Sequence, residues 1–325
     1  MTEVKHTHMK ATEGRVADAV DNNWVDIHAP AWARPYLRLS RMDRPAGTWL
    51  LLIPCVWAAG LAMAEMGGWS AHGVWIIVGC AVGAFLMRGA GCTWNDMADV
   101  KFDAGVARTR SRPLPSGQTT RAKALLWLIA QCLLAFGILL TFPPIAIALG
   151  IAALGPVALY PFAKRLTWWP QVFLGLAFNW GALLAYAAIT GTVSLPSVLL
   201  YLTGIAWTLF YDTIYAHQDI EDDALIGVKS TARLFGDQTP TWLRRFLIAV
   251  TTLGGMAIIS ALFALPNPLP LAIAIAGVWG FGAHLAWQMR RLELDDPARC
   301  MHLFRSNRDA GLILAGFLLL AASLA

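Results

Sequence analysis

Charged residues are scarce in this chain. Only 14% of its 325 residues are Asp, Glu, Lys or Arg, while 57% are hydrophobic. Soluble domains carry about 25% charged residues, so the shortage points to a chain that lives in lipid. Cysteine is equally unhelpful as a chemical signal. Cys55, Cys80, Cys92, Cys132 and Cys300 form no C-x-x-C pair, and most lie inside apolar runs. They read as small packing residues rather than redox or metal groups. The N-terminal stretch has no apolar core behind an early basic patch, which argues against a cleaved signal peptide. Glu3, Glu13, Asp18, Asp21 and Asp26 argue against an acid-poor transit peptide. His6, His8 and His28 are too loosely spaced for a metal site. Residues 1–33 are therefore expected to form a flexible cytoplasmic tail ahead of a transmembrane domain over 34–325.

What the chain has in abundance is long apolar runs. They fall near 45–65, 70–92, 121–141, 143–162, 169–190, 196–217, 242–264, 269–289 and 308–324. A helix of about 20 residues spans the roughly 30 Å of hydrocarbon. Only helices or closed barrels satisfy their backbone groups there, and runs of this length exclude strands. The expectation is an all-α integral membrane protein with about nine transmembrane helices. Gly79 and Gly83 form a G-x-x-x-G in the second run, a spacing that permits close helix contact.

Positive charge is missing from every second connection. The segments 65–71, 141–144, 191–196 and 265–270 contain no Lys or Arg, whereas the alternate ones carry Arg34 to Arg44, Lys101 to Arg121, Lys164 and Arg165, Lys229 to Arg245, and Arg290 to Arg308. The positive-inside rule puts those loops in the cytoplasm and the C-terminus outside. This placement also accounts for the net charge of +5 without a nucleic-acid partner.

Acidic residues cluster at two span ends. Asn95, Asp99 and Asp103 recur every four residues, so on a helix they share one face. Asp219 and Asp223 repeat that spacing 120 residues later, at 99 to 219 and at 103 to 223. Asp96 and Asp222 point off the shared face. Hard oxygen ligands in this arrangement suit Mg²⁺, which also takes waters and phosphate oxygens. The plainer alternative is a set of solvated acids at helix ends. Each cluster is followed by a basic stretch, Arg108 to Arg112 with Pro113-Leu114-Pro115 behind it, and Lys229-Ser230-Thr231. Metal-bridged carboxylates followed by cations are what a diphosphate needs, and the two clusters are expected to face each other across it. Asp212 and Tyr215 sit inside the sixth run. An aspartate there points to the bundle interior, where Asp212 either orients a basic group or acceptor or simply pairs with an Arg. His217 and His284 read as interfacial or core residues.

Together these motifs resemble the UbiA-type intramembrane prenyltransferases. The resemblance rests on Asn95-Asp96-x-x-Asp99-x-x-x-Asp103, on Arg108-x-x-x-Arg112-Pro-Leu-Pro-Ser-Gly, and on Tyr160-Pro-x-x-Lys164-Arg165. It rests also on Tyr211-Asp212-Thr-x-Tyr215-Ala-x-x-Asp219-x-x-x-Asp223 and Gly227-x-Lys229-Ser-Thr-Ala. Arg41-Met42-Asp43-Arg44-Pro45-Ala46-Gly47 resembles the branch of the family that prenylates 4-hydroxybenzoate. The resemblance covers residues from about 36 to the end. It implies nine helices around a central cavity under cytoplasmic cap loops, with Mg²⁺ as cofactor. It implies that Asn95, Asp99, Asp103, Asp219 and Asp223 hold metal and diphosphate. Arg108, Arg112, Lys164, Arg165 and Lys229 would bind phosphate, and Arg41 and Arg44 the benzoate carboxylate. The implied partners are a polyprenyl diphosphate, 4-hydroxybenzoate and membrane lipid. The implied reaction is ionisation of the allylic diphosphate and attack by the ring ortho to the phenol, a step of ubiquinone biosynthesis. Aromatic residues such as Phe173, Phe178, Trp180, Trp207 and Phe210 would shield the cation. The acids near the N-terminus favour a bacterial inner membrane, with the site facing the cytoplasm. Other acceptors of the same family (homogentisate, naphthoate, haem or chlorophyll precursors) remain alternatives. An ion-coupled transporter fits less well, because both acidic clusters lie at one face.

Overall fold

The computed structural model describes residues 15–17, 19–20, 22–105, 109–220, 224 and 227–325, without the side chain of Asp219. Among the described residues there is no strand. Two short helices, α1 (Trp24–Ile27) and α2 (Arg34–Leu39), precede α3 (Ala46–Glu65), α4 (Ala71–Gly105) and α5 (Arg121–Leu139). Two broken spans follow, α6 (Pro144–Ala152) with α7 (Leu154–Leu166), then α8 (Pro170–Phe178) with α9 (Trp180–Thr190). After α10 (Leu195–Ala216) come a single turn α11 (Thr231–Phe235), then α12 (Thr239–Leu262), α13 (Leu269–Arg290) and α14 (Pro297–Ala322).

Among the described residues eight helical segments are long and apolar enough to cross a membrane, close to the nine expected. The ninth helix, α14, is present and 26 residues long. Arg299, Arg305, Arg308 and Asp309 occupy its first half, so the run at 308–324 is the apolar end of a longer, partly charged helix. The second span also outruns its apolar stretch. At 1.5 Å per residue, the 35 residues of α4 extend about 52 Å, well beyond the roughly 30 Å of hydrocarbon. Its surplus is the acidic repeat, which is therefore helical.

The chain packs as two compact units: Met1–Pro45 with Gly89–Cys132, and Ala46–Arg88 with Leu133–Ala325. In the first, Leu39, Leu114 and Ala124 form a small core against Met97 and Val100 of α4. The described part of the stretch expected as a tail makes specific contacts in this unit. Val16 and Val25 are buried, Trp24 Nε1 donates to the Met42 carbonyl at 3.1 Å, and Asp26 pairs with Arg38 at 2.7 Å. Residues 1–14 lie outside the described residues.

In the second unit α3 packs on α9 and α14, α10 on α8 and α12, and α13 on α12 and α14. Trp57, Trp207 and Phe281 meet at its centre with ring centroids 4.9–5.6 Å apart. A buried indole needs a hydrogen-bond acceptor. Trp57 Nε1 donates to the Gly311 carbonyl at 2.8 Å and Trp207 Nε1 to Asn307 Oδ1 at 2.9 Å. Asn307 Nδ2 donates in turn to Gln288 Oε1 at 3.0 Å, tying α10, α14 and α13 together. Gly79 of the G-x-x-x-G lies against the Phe142 ring, while Gly83 has open space around it. The five cysteines are free, and all but Cys132 are buried.

Candidate active site

The first unit holds the acidic end of α4. Asp99 is fully buried, Asp103 is buried and Asn95 is half-buried. A buried carboxylate requires a counter-charge. For Asp103 it is Arg112, whose Nη1 lies 3.1 Å from Oδ2 and 3.5 Å from Asp96 Oδ1. Arg112 thus sits among the acids of the repeat. Asp96, expected to point off the shared face, instead reaches the same Arg112 nitrogen as Asp103, because seven residues make about two turns and put the two acids on one side of α4. Asp96 is fully buried and takes both terminal nitrogens of Arg41, with Nη1 at 2.9 Å. The benzoate candidate Arg41 therefore turns its fork to Asp96. Its backbone sits in the left-handed region, φ +57°, a conformation a non-glycine residue keeps only when its surroundings hold it. Arg44, the other benzoate candidate, makes a two-point contact with neighbouring Asp43 at 3.1 and 3.2 Å.

The ligands of this face, an amide oxygen and carboxylates, are hard donors that suit Mg²⁺. Among the described residues no three His, Cys, Asp or Glu side chains converge on one point. Asp223, Asp222, Arg108 and the side chain of Asp219 lie outside the described residues.

The second unit holds a cluster of cations. The Lys229 amide donates to the Lys164 carbonyl at 3.1 Å, so the two motifs Lys164-Arg165 and Lys229-Ser230 run side by side. Lys229 Nζ donates to the Leu166 carbonyl at 3.3 Å and lies 5.9 Å from the centre of the Trp168 ring. Arg233 stacks on the same ring at 5.4 Å, and exposed Arg165 covers Phe162 at 5.5 Å. The spacing in the sequence did not mark Arg233 as part of this group. It joins because Ser230 caps α11, accepting from the Arg233 amide, and sets that turn beside Trp168.

A second cation went unnoticed in the sequence altogether. Arg88 lies inside α4, about 26 Å from its start. Its guanidinium covers the Phe178 ring at 5.2 Å, and its buried Nε has no hydrogen-bond partner among the described residues. It rests directly on the α-carbon of Gly47, where an added Cβ would come within 2.5–2.7 Å of the guanidinium. Asp212 feels the Arg88 charge and is hydrogen-bonded by Gln171. Gln171 also accepts from the Thr231 amide at 3.3 Å. Tyr215 packs its ring on Phe304 at 4.6 Å. Of the aromatic residues expected to shield a cation, Trp207 and Phe210 are sealed in the core. Trp180 donates to the Leu149 carbonyl at 2.8 Å, and Phe178 lies beneath Arg88. His217 is a buried residue bonded to Thr239 Oγ1 at 3.1 Å, and His284 contacts Gln288 at 3.2 Å.

Eight apolar spans and a backbone without strands among the described residues place the chain among the helical integral membrane proteins. Residues 51–308 match the UbiA prenyltransferase family, and the chain belongs to that family. It is 48% identical over 288 residues to the mitochondrial 4-hydroxybenzoate polyprenyltransferase of Bos taurus, spanning 88% of this chain and 75% of that one. The protein of the same description from Homo sapiens is 46% identical over 287 residues, covering 88% and 74%. Among solved structures, the apo UbiA homolog of Aeropyrum pernix K1 superposes with a TM-score of 0.65 at 22% identity, over 83% of this chain and 97% of that one. The UbiA homolog of Archaeoglobus fulgidus bound to GPP and Mg²⁺ does so with a TM-score of 0.66 at 16% identity, over 89% and 99%. At these identities the likeness is one of fold.

Proposed function

We propose that this protein transfers a polyprenyl group from an allylic prenyl diphosphate to 4-hydroxybenzoate, a step of ubiquinone biosynthesis. The observation that carries the reading is Arg88, a cation within a span whose Nε has no hydrogen-bond partner, lying on an aromatic ring. A benzoate offers such a group both a carboxylate for the guanidinium fork and a ring for the apolar surroundings. The identity to relatives described as 4-hydroxybenzoate polyprenyltransferases supports the same acceptor.

In this reading Arg88 receives the carboxylate, and Asp212, held by Gln171, balances the Arg88 charge before the acceptor enters. Lys164, Lys229, Arg233 and Arg165 donate to the phosphate oxygens, and Tyr215 helps wall the substrate. Asn95, Asp99 and Asp103, with Asp219 and Asp223, would hold Mg²⁺. A solved structure of the same fold bound to GPP and Mg²⁺ supports that assignment. Bound there, the ion would supply neutralising charge to the diphosphate. Cations fixed where leaving-group charge develops lower the barrier most. The allylic C1–O bond breaks with its electron pair passing to diphosphate. The ring carbon ortho to the phenol forms the new C–C bond, and a ring proton is lost. The apolar spans keep water from the cation. We assign the site to the cytoplasmic end of the spans, on the strength of the charge asymmetry of the loops.

The test is a variant assay in chelator. Asp99→Ala or Asp219→Ala should insert normally and lose prenyl transfer, and EDTA should abolish wild-type turnover until Mg²⁺ is restored. Near-normal turnover by either variant, or turnover that persists in EDTA, would remove the acidic repeat from the mechanism.

A further inference from the structure

A separate cleft lies in the first unit, at the Arg121 end of α5. It is lined by Tyr36, Lys123, Leu126, Trp127 and Ala130 and has a volume of about 250 Å³. Lys123, Leu126, Trp127 and Ala130 are spaced i, i+3, i+4 and i+7, so they form one helix face. Tyr36 of α2 provides the opposite wall, its ring 5.6 Å from that of Trp127. The indole is fixed in place: Trp127 Nε1 donates to Ser40 Oγ at 2.8 Å, and Ser40 Oγ donates to buried Gln131 at 3.1 Å.

The chemistry changes in order down this face. At 1.5 Å per residue, Trp127 lies about 6 Å and Ala130 about 10 Å beyond Lys123. An ammonium therefore comes first, then two amphipathic rings, then an open apolar strip on which Leu126 is 67% exposed. A phospholipid presents the complementary sequence of phosphate, glycerol ester and acyl chain. Because α5 is a membrane span, the order also matches the depth at which lipid offers each group. Trp and Tyr favour the ester level of a bilayer. Among the described residues no carboxylate pairs with the Lys123 ammonium. An unneutralised cation favours a net-negative headgroup over a zwitterionic one.

We propose that this cleft is a binding site for one anionic phospholipid, its phosphate on Lys123 and its glycerol between Tyr36 and Trp127. The site shares no residue with the proposed prenyl-transfer machinery. The test places the full-length protein in phosphatidylcholine nanodiscs doped with brominated phosphatidylglycerol and reads tryptophan quenching. The expected result is a saturable component that disappears in Trp127→Phe. Its midpoint should move about fivefold to higher lipid fraction in Lys123→Gln and return in Lys123→Arg. That factor corresponds to the roughly 1 kcal/mol carried by one basic residue at a membrane surface. An unchanged midpoint in Lys123→Gln would overturn the proposal, as would equal saturable quenching by brominated phosphatidylcholine. Loss of the component on adding glycerol phosphate would assign the cleft to a soluble phosphate and overturn it too.

Discussion

Arg88 is the only Asp, Glu, Lys or Arg between Ala71 and Trp94, and a charge within a span is expensive unless it is used. Replacing it with Ala removes the fork but not the Phe178 surface. Hydrogen bonds to charged groups are worth about 1.5–3 kcal/mol, so KM for 4-hydroxybenzoate should rise roughly 10- to 100-fold, with kcat changed much less. Steady-state kinetics with the acceptor varied would check this. Gly47→Ala should act in the same direction, because its Cβ displaces the same guanidinium. The sequence hid Arg88, since one arginine in an apolar run does not break the run. Its trace was Gly47, part of a recognised motif whose glycine has a reason only once Arg88 rests on it. Arg41 is the opposite case: its motif is legible in the sequence, but its partner Asp96 is reached only through the fold.

Asp26 gives a pH signature at the same scale. Burial pushes its carboxyl up, but hydrogen bonds from Arg38 and Asn23, with the charges of Arg38 and Arg15, outweigh that and hold it below its ordinary value. A carboxyl depressed in the folded chain stabilises it fully above the unfolded value of about 3.9. That contribution is lost as the pH falls through the lower folded value. Amide protection over 22–38 should therefore be steady from neutral pH to about pH 5 and drop on acidification below about 4. In Asp26→Asn the protection should already be low at neutral pH, with no such drop.

At the scale of elements, apolar runs gave the helices their places but not their breaks. The fifth run is two helices, α8 and α9, separated by Asn179. A break inside a bilayer must satisfy its own backbone. Asn179 does so, donating from Nδ2 to the Gly175 carbonyl and to Thr208 Oγ1, each at 2.9 Å. Its Oδ1 faces the α-carbon of Gly204 on α10, so closely that a Cβ there has no room. Gly204→Ala should therefore cost about 1–3 kcal/mol, as overpacking does, visible as a lower midpoint in thermal unfolding of the detergent-solubilised protein. A single apolar run offers no periodic signal for such a break, because every face of the helix is already apolar. The acidic repeat was easier to read. Its four-residue spacing puts Asn95, Asp99 and Asp103 on one face of any helix that holds them, and α4 extends to Gly105.

In the whole molecule, basic connections alternate with connections free of Lys and Arg along the order of the spans. The expectation of about nine helices holds: among the described residues eight spans are apolar throughout, and the ninth helix, α14, places four charged residues ahead of its apolar half. The relatives named above are mitochondrial proteins, so the expectation of a bacterial inner membrane finds no support in them, whereas integral membrane residence follows from the eight spans. Everything above converges on the ring of 4-hydroxybenzoate as the proposed acceptor of the prenyl group. The direct measurement is the mass of the product formed by purified protein given 4-hydroxybenzoate, Mg²⁺ and prenyl diphosphates of several lengths. The expected product is heavier than 4-hydroxybenzoate by the prenyl group less one hydrogen, with the carboxylate retained and diphosphate released in equal amount. No product with 4-hydroxybenzoate, alongside turnover of homogentisate or a naphthoate under the same conditions, would contradict it.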